Sequence, residues 1–287
     1  MRGTLASSRD LHPARHGAMN LKLISCEVFC REAEHVITQS PHHIEVTFLP
    51  MGLHDIGARG MRPKIQAAVD AVDDRQFDAI LLGFGLCSNG LAGIVANGIP
   101  LVLPRAHDCI TLFLGSSRRY LDYFHAHPGV YFKTTGWIEH SSDLDSTAQL
   151  SLQRSQARGA ALADLIARYG EDNGRYLHQT LSAGSEQYGQ ITFIEMGVEP
   201  NAACEQHSRD EARARGWQFE KVRGDIGMIQ RLVSGDWRPE EFLVVQPGST
   251  IAARYDESIV AAEPAPESRH TDGGGPPEPS ASGAPKG

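Results

Sequence analysis

Short apolar runs alternate with longer amphipathic stretches through most of the chain. The apolar runs are rich in Ile, Val, Leu and Phe and cover residues 21–25, 44–49, 79–84, 100–103, 130–133, 191–195, 218–222 and 242–245. Nearly continuous apolar runs are typical of strands that are covered on both faces. Helical patterns lie between several of them, at 27–39, 63–74, 109–125 and 201–215. This alternation predicts an α/β fold: a doubly wound, mostly parallel sheet with helices on both faces.

Two further features refine this prediction. Pro63 suits the first turn of its helix, where the missing N–H has no partner to lose. A long polar stretch at 146–188, with a helical pattern at 154–169, predicts a helical insertion between the fifth and sixth strands. With this insertion included, residues 19–260 are predicted to form a single α/β domain.

The two ends of the chain lack this pattern. Residues 1–18 carry basic charge without an apolar block, which predicts a flexible leader or a mis-assigned start before Met19. Residues 261–287 are rich in Pro, Gly and Ser and have almost nothing apolar larger than alanine. Such a stretch cannot bury enough surface to offset the entropy lost on ordering, so we expect a disordered tail.

Composition excludes some classes of function. The 287 residues contain 35 acidic and 27 basic side chains, a net charge of −8, and show no basic stripe interleaved with aromatics, which argues against nucleic-acid binding. No apolar run is long enough to span a bilayer. Five cysteines are an odd number that does not suit a disulfide framework, so we expect reduced thiols in the cytoplasm.

Unusual polar residues follow the predicted strands. Ligands of open α/β sheets bind outside the carboxyl ends of the strands. The residues at these positions come from six loops: Cys26; Pro50, Gly52 and His54; 83–90; 105–109; Thr135, Gly136 and Trp137; and Glu195, Met196 and Gly197. We therefore expect one site at this edge of the sheet.

Thiols and an imidazole in these loops suggest a metal site. Cys26, Cys87 and Cys109, with His107 as a ligand or a base, are donors for zinc, for iron or for an iron–sulfur cluster. There is no C-x-x-C pair, and buried cysteines often serve packing alone. Cys30 and Cys204 lie in predicted helices and are expected to serve only in packing.

The same residues also suit a different chemistry. Cys109 opens a predicted helix, where a thiolate is stabilised, and His107 would be its base in a nucleophilic mechanism. Asp108 would orient His107 in that case. Alternatively, Asp108 is the N-cap of the helix that begins at Cys109.

The glycine-rich loop suggests contact with a cofactor or an anion. Its spacing is not G-x-G-x-x-G, because Ser88 occupies the third position. Gly85, Asn89 and Gly90 would let backbone N–H groups approach a ligand closely, and Arg105 would add a positive charge.

Several of these motifs resemble a known prokaryotic family. GFGLCSNG, RAHDCITLFLGS and YFKTTGWIEH, with the region around 224–248, are similar to the family called domain of unknown function 1638. The motif positions that carry over are Cys26, Cys87, Asn89, Arg105 and His107-Asp108-Cys109. Glu27 and Val28 are larger than expected after the first cysteine.

The resemblance implies a role near corrinoid-dependent methyl transfer. Members of the family are often encoded beside corrinoid methyltransferases, which suggests a corrinoid as a further cofactor and a corrinoid protein or a small-molecule substrate as the partner. Three hypotheses follow: a metal- or iron–sulfur-binding enzyme or accessory protein in one-carbon metabolism, a cysteine-nucleophile transferase or hydrolase for a small anionic substrate, and a small-ligand binding protein.

Overall fold

The fold is mixed α/β with two parallel-rich sheets. The structure, a computed structural model, describes residues 17–54, 56–87, 89–127, 129–141, 171 and 188–266. Most of the predicted leader, the insertion apart from residues 171 and 188, and the tail from residue 267 lie outside these ranges.

Ten strands form the sheets of the described region. They are β1 Asn20–Cys26, β2 His43–Leu49, β3 Ala79–Gly83, β4 Leu101–Pro104, β5 Val130–Lys133, β6 Gln190–Glu195, β7 Gln218–Arg223, β8 Phe242–Val245, β9 Ser249–Ala253 and β10 Val260–Pro264. Seven α-helices accompany them: α1 Cys30–Ile37, α2 Gly57–Asp70, α3 Cys109–Leu114, α4 Ser117–Ala126, α5 Thr135–His140, α6 Ala203–Arg215 and α7 Gly227–Val233. Short 3-10 turns follow the first two strands, at Glu27–Phe29 and Met51–His54.

The strands divide between sheets where the sequence predicted one. A five-stranded sheet has the order β2-β1-β3-β4-β8, parallel except for β8, and β5-β6-β7 form a separate parallel sheet. β9 and β10 form an antiparallel hairpin, which includes residues 261–264 of the predicted tail. Apolar runs identify strands but do not say which strands pair, because pairing is set by contacts distant in sequence.

Two apolar clusters cover the five-stranded sheet. Successive strand residues alternate between them: Leu81 packs with α1, α3 and α7, whereas Leu82 packs with α2 and the β9–β10 hairpin. Because β3 is buried along its whole length, its sequence is apolar throughout. Within the described ranges, every helix is too short or too polar to traverse a lipid bilayer.

Two helices differ from their sequence patterns. The helix predicted at 109–125 is two helices, because Gly115 ends α3 with a φ of 79° and the Ser116 side chain caps α4. The helix predicted to begin at Pro63 begins at Gly57 instead, so Pro63 lies inside α2. Its missing N–H therefore falls within the helix and not at an end.

Candidate metal and ligand site

A cavity opens at the carboxyl ends of the parallel strands. The strand order reverses between β1 and β3, since the chain passes from β1 to β2 on one side and then to β3 on the other. Such a reversal is where open α/β sheets bind ligands. The cavity has a volume of about 270 Å³. Its lining residues are Cys26, Val28, Phe29, Pro50, Met51, Leu53, Met61, Phe84, Gly85, Cys87, His107, Asp108, Cys109, Ile110 and Trp137.

Cys26 ends β1 at the edge of this cavity. Beside it, the Ser25 hydroxyl donates to the Gly83 carbonyl over 3.1 Å, which joins the end of β1 to the end of β3. Glu27 begins the 3-10 turn and accepts a hydrogen bond from the Met51 N–H over 2.8 Å. Glu27, which is larger than expected after Cys26, therefore connects the loop after β1 to the loop after β2 by this hydrogen bond. Val28, the next residue, is buried.

Cys87 lies in a loop with an unusual backbone. Cys87 and Asn89 have φ values of 46° and 66°, in the left-handed region that non-glycine residues seldom adopt. Strain of this kind persists where the surrounding structure holds the loop in place, and it concentrates at functional sites. Asn89 is exposed and Gly90 is buried against the Met61 sulfur; neither lines the cavity.

The loops after β3 and β4 are joined backbone to backbone. Leu86 N–H donates to the Ala106 carbonyl over 2.8 Å, and Cys87 N–H donates to the His107 carbonyl over 2.9 Å. Gly85 is required here, because a Cβ at this position would lie 2.5 Å from the Asp108 backbone. The thiol-bearing segments around Cys87 and Cys109 are thus held side by side.

Asp108 is the N-cap of α3. Its Oδ1 accepts from the N–H groups of Ile110 and Thr111 over 3.0 and 3.3 Å, and its Oδ2 accepts from the Tyr120 hydroxyl over 3.1 Å. Burial nevertheless raises the pKa of Asp108 above its usual range, against the effect of these hydrogen bonds. His107 is exposed at the cavity rim, and no hydrogen bond joins it to Asp108 among the described residues.

The three cavity thiols are protonated at neutral pH. Burial raises the pKa of Cys26 to about 11, and burial, then the charges of Asp108 and Cys26, raise the pKa of Cys87 to about 12. Burial likewise raises the pKa of Cys109 well above its usual value, followed by the charges of Cys87, Asp108 and Cys26. Each thiol therefore lies near enough to the others for their charges to interact.

The remaining predicted residues divide into two groups. Trp137 lines the cavity, and its side chain opposes the rise in the pKa of the Cys109 thiol. Arg105 points elsewhere: its guanidinium donates to the carbonyls of Pro239, Ser258 and Val260 over 2.8, 2.8 and 2.5 Å. The loop after β6 does not line the cavity, so five of the six predicted loops reach it.

The described side chains around the cavity do not, as they stand, form a metal site. In the described part of the chain, no group of three or more Cys, His, Asp or Glu side chains has the spacing of a metal site. The cysteine side chains nevertheless face one cavity, and rotation about a single bond, χ1, moves each sulfur. Sequence reasoning missed the apolar lining from Phe29, Met51 and Met61, because no sequence signal separates these side chains from ordinary core residues.

Comparison with known proteins gives one match. Residues 48–233, which are 186 of the 287 residues, match a family model described as a protein of unknown function, DUF1638. The match includes Cys87 and the segment from Arg105 to Cys109 but not Cys26. No curated protein and no solved structure shows a significant match to the chain.

Proposed function

The chain belongs to the DUF1638 family, and because that description assigns no activity, we propose a function from the chain's own residues. It binds a thiophilic metal centre, of zinc or iron, through Cys26, Cys87 and Cys109. The observation that carries this proposal is that thiols from three separate loops line one cavity at the reversal of strand order. Packing alone does not require three thiols at the one place where this type of sheet binds ligands.

Electrostatics favours a metal over a cysteine nucleophile. Burial, then the charges of Asp108 and Cys26, raise the pKa of Cys87 to about 12, and burial raises the pKa of Cys109 well above its usual value, so neither thiol is nucleophilic at neutral pH. A bound cation reverses this effect, because a coordinated thiol is deprotonated outright. The same three thiols that make a poor nucleophile make a good ligand set for a soft cation.

The ligand set suits a site with an open position. Three protein ligands on zinc leave the fourth of four positions for water or a substrate, as in catalytic zinc sites. An iron–sulfur cluster held by the same three thiolates would also have one iron without a protein thiolate. His107, exposed at the rim, is the candidate for a fourth ligand or for a base; Asp108 is already engaged by α3 and Tyr120.

The cavity also limits how a corrinoid would take part. At about 270 Å³ it lies just below the roughly 300–1,000 Å³ of pockets for small ligands and is smaller than a corrin macrocycle needs. A role in corrinoid-dependent methyl metabolism, as an enzyme or an accessory protein, then requires the corrinoid to remain on a partner protein and to meet the metal at the rim.

We also propose that the five-stranded sheet is doubly wound, with helices on both of its faces. It is supported by the two apolar clusters that cover opposite faces of the five-stranded sheet. The strand order β2-β1-β3-β4 also agrees with a sheet of this type.

Elemental analysis and an absorption spectrum of protein purified without oxygen or chelators test the proposal. We expect bound zinc or iron, and an iron–sulfur cluster would absorb visible light where zinc would not. Cys87→Ser should lower metal affinity by at least about tenfold and lower stability with it, because metal-binding free energy is partly folding free energy.

Cys30→Ser and Cys204→Ser are matched controls. Both cysteines are partly accessible but lie outside the cavity lining, so their removal should leave metal content unchanged. Metal-free wild-type protein, with the thiols of Cys26, Cys87 and Cys109 all freely titratable, would contradict the proposal.

A further inference from the structure

The cavity at the carboxyl ends of the strands is large enough for a small organic molecule. Its volume is about 270 Å³. An apolar cavity of about 150 Å³ is sufficient to bind benzene. The space therefore accommodates one aromatic ring with a short substituent, whereas a nucleotide or a peptide would not be enclosed. The charge and the surface of the lining decide which small molecules fit.

The lining has no positive side chain for an anion. Among the described residues that line the cavity, none is a lysine or an arginine. Arg105 is two residues before His107, but its guanidinium is held by the carbonyls of Pro239, Ser258 and Val260. An anion buried here would have no counter-charge, which is strongly unfavourable.

An organic cation is also poorly matched to the lining. Asp108 already accepts three hydrogen bonds, from the N–H groups of Ile110 and Thr111 and from the Tyr120 hydroxyl. A buried ammonium group would lose its hydration and find this carboxyl group engaged. His107, which also ionises, is exposed at the rim. The interior therefore favours an uncharged ligand over an ion of either sign.

Sulfur and aromatic rings make up more than half of the lining. Of the 15 described lining residues, five carry sulfur, namely the three cysteines, Met51 and Met61, and three carry rings, namely Phe29, Phe84 and Trp137. Burial keeps the thiols protonated, so their sulfur atoms are neutral and polarizable. Sulfur beside a ring and one ring against another are both more favourable than the buried area alone predicts. Such walls favour an aromatic ligand over an aliphatic one of the same size.

We infer that the cavity binds a small uncharged aromatic molecule, with its ring among the sulfur-bearing and aromatic side chains and its polar substituent at the rim beside His107. This inference goes beyond the proposed function and does not require an ion, because it depends only on the shape, charge and surface of the lining. Binding is reversible, and no bond of the ligand forms or breaks.

Four probes of similar size test the inference by calorimetric titration of the protein as purified. Benzyl alcohol has an aromatic ring and an uncharged substituent. Benzoate and benzylammonium each add a charge of one sign, and cyclohexylmethanol replaces the aromatic ring with an aliphatic one. The metal content of the same sample is measured by elemental analysis.

Benzyl alcohol should bind saturably, at least ten-fold more tightly than either ion and at least three-fold more tightly than cyclohexylmethanol. Equal or tighter binding of benzoate or benzylammonium would overturn the uncharged class. Equal binding of cyclohexylmethanol would overturn the aromatic class, and no saturable binding of benzyl alcohol would overturn the whole inference. Binding to protein purified without metal would support this inference while contradicting the proposed function. Metal-containing protein that does not bind benzyl alcohol would contradict this inference alone.

A cavity-filling variant provides a second test. Met51 is partly buried at the cavity wall, and Met51→Trp should occupy the space of the ligand's ring. We expect a loss of at least ten-fold in affinity for benzyl alcohol. Leu121→Trp is the control, because Leu121 is exposed on α4 outside the cavity. Unchanged affinity in folded Met51→Trp would overturn the placement of the ligand; if that variant does not fold, the probe series decides.

Discussion

At the residue scale, Glu32 is a buried carboxyl group outside the cavity. It lies on α1, is 2% exposed, and its Oε2 has no hydrogen-bond partner among the described residues. Burial, with a smaller contribution from the charges of Glu199 and Glu139, raises the pKa of Glu32 to about 7. Arg31 opposes this shift only weakly, because its guanidinium is paired with Glu139 over 2.6 and 2.7 Å.

The raised pKa of Glu32 predicts a stability that falls as pH rises. The folded state binds the proton more tightly than the unfolded state, whose pKa is near 4.5. Stability should therefore decrease between about pH 4.5 and pH 7, by roughly 3 kcal/mol in total. Glu32→Gln removes the titration, so it should be more stable than wild type at pH 8 and similar to it at pH 4.5, measured by urea unfolding.

The control for this prediction is Glu34→Gln. Glu34 is exposed on the same helix, so its replacement should have little effect at either pH. A Glu32→Gln variant whose difference from wild type is the same at pH 4.5 and pH 8 would show that Glu32 does not titrate in this range.

At the element scale, α5 contacts the turn that follows Cys26. Gly136 lies in the first turn of α5, and a Cβ there would overlap the Val28 carbonyl oxygen. α5 follows β5, which belongs to the three-stranded sheet, whereas Val28 follows β1, which belongs to the five-stranded sheet. The contact therefore connects the two sheets. It also places Trp137 against the cavity.

Gly136→Ala should separate α5 from the turn. We expect a loss of about 1–3 kcal/mol in the free energy of unfolding, because backbone cannot move aside as a flexible side chain can. Metal affinity should fall as well, since Trp137 would move away from Cys109. Gly52→Ala is the control: Gly52 lies in the 3-10 turn after β2, and a Cβ there meets nothing within 4 Å. Equal stability of the two variants by urea unfolding would contradict this account.

Burial on both faces decides which strands the sequence can predict. β3 and β4 could be predicted because both faces of each strand are buried, which leaves a continuous apolar run. β9 and β10 could not be predicted, because they contain alanine, serine and proline, and only single residues such as Ile251 and Val260 reach the apolar core. The division into two sheets depends on pairing between distant strands, which no local pattern records.

The site could be anticipated only in part. Cys26, Cys87 and Cys109 could be assigned to one edge because the carboxyl ends of parallel strands lie together. Arg105 was expected to bind a ligand, yet its partners are carbonyls more than 130 residues away in sequence. Nothing in the local sequence distinguishes an arginine that binds an anion from one that binds carbonyls.

At the scale of the whole molecule, Arg105 connects the central sheet to the C-terminal strands. It follows β4 directly and reaches carbonyls before β8 and around β10. β4 is also paired with β8 itself, so this region closes one edge of the five-stranded sheet. The Arg105 guanidinium therefore helps to hold the segments that contain β8 and β10 next to the end of β4.

Arg105→Ala should destabilise the protein by about 2–4 kcal/mol, because the carbonyls of buried Val260, half-buried Ser258 and exposed Pro239 lose a charged donor. Metal content should be unchanged, since Arg105 does not line the cavity. Urea unfolding and elemental analysis of the same sample check both statements. Arg118→Ala is the control, because the Arg118 side chain is 92% exposed. A variant of normal stability with impaired ligand binding would instead indicate a role of Arg105 at the site.

The paired backbones of the loops after β3 and β4 have a consequence for affinity. Two of the three sulfur-bearing segments are hydrogen-bonded to each other before any ion arrives. Bringing the segments of Cys87 and Cys109 together costs conformational entropy, and this cost is met when the protein folds. It does not have to be met again when a metal binds. An ion bound as proposed would meet two ligand-bearing backbone segments that are already joined, so that only the side chains have to rotate, and its dissociation would require the release of several bonds in succession. Slow release of the metal is the expected result, even from a site with only three protein donors.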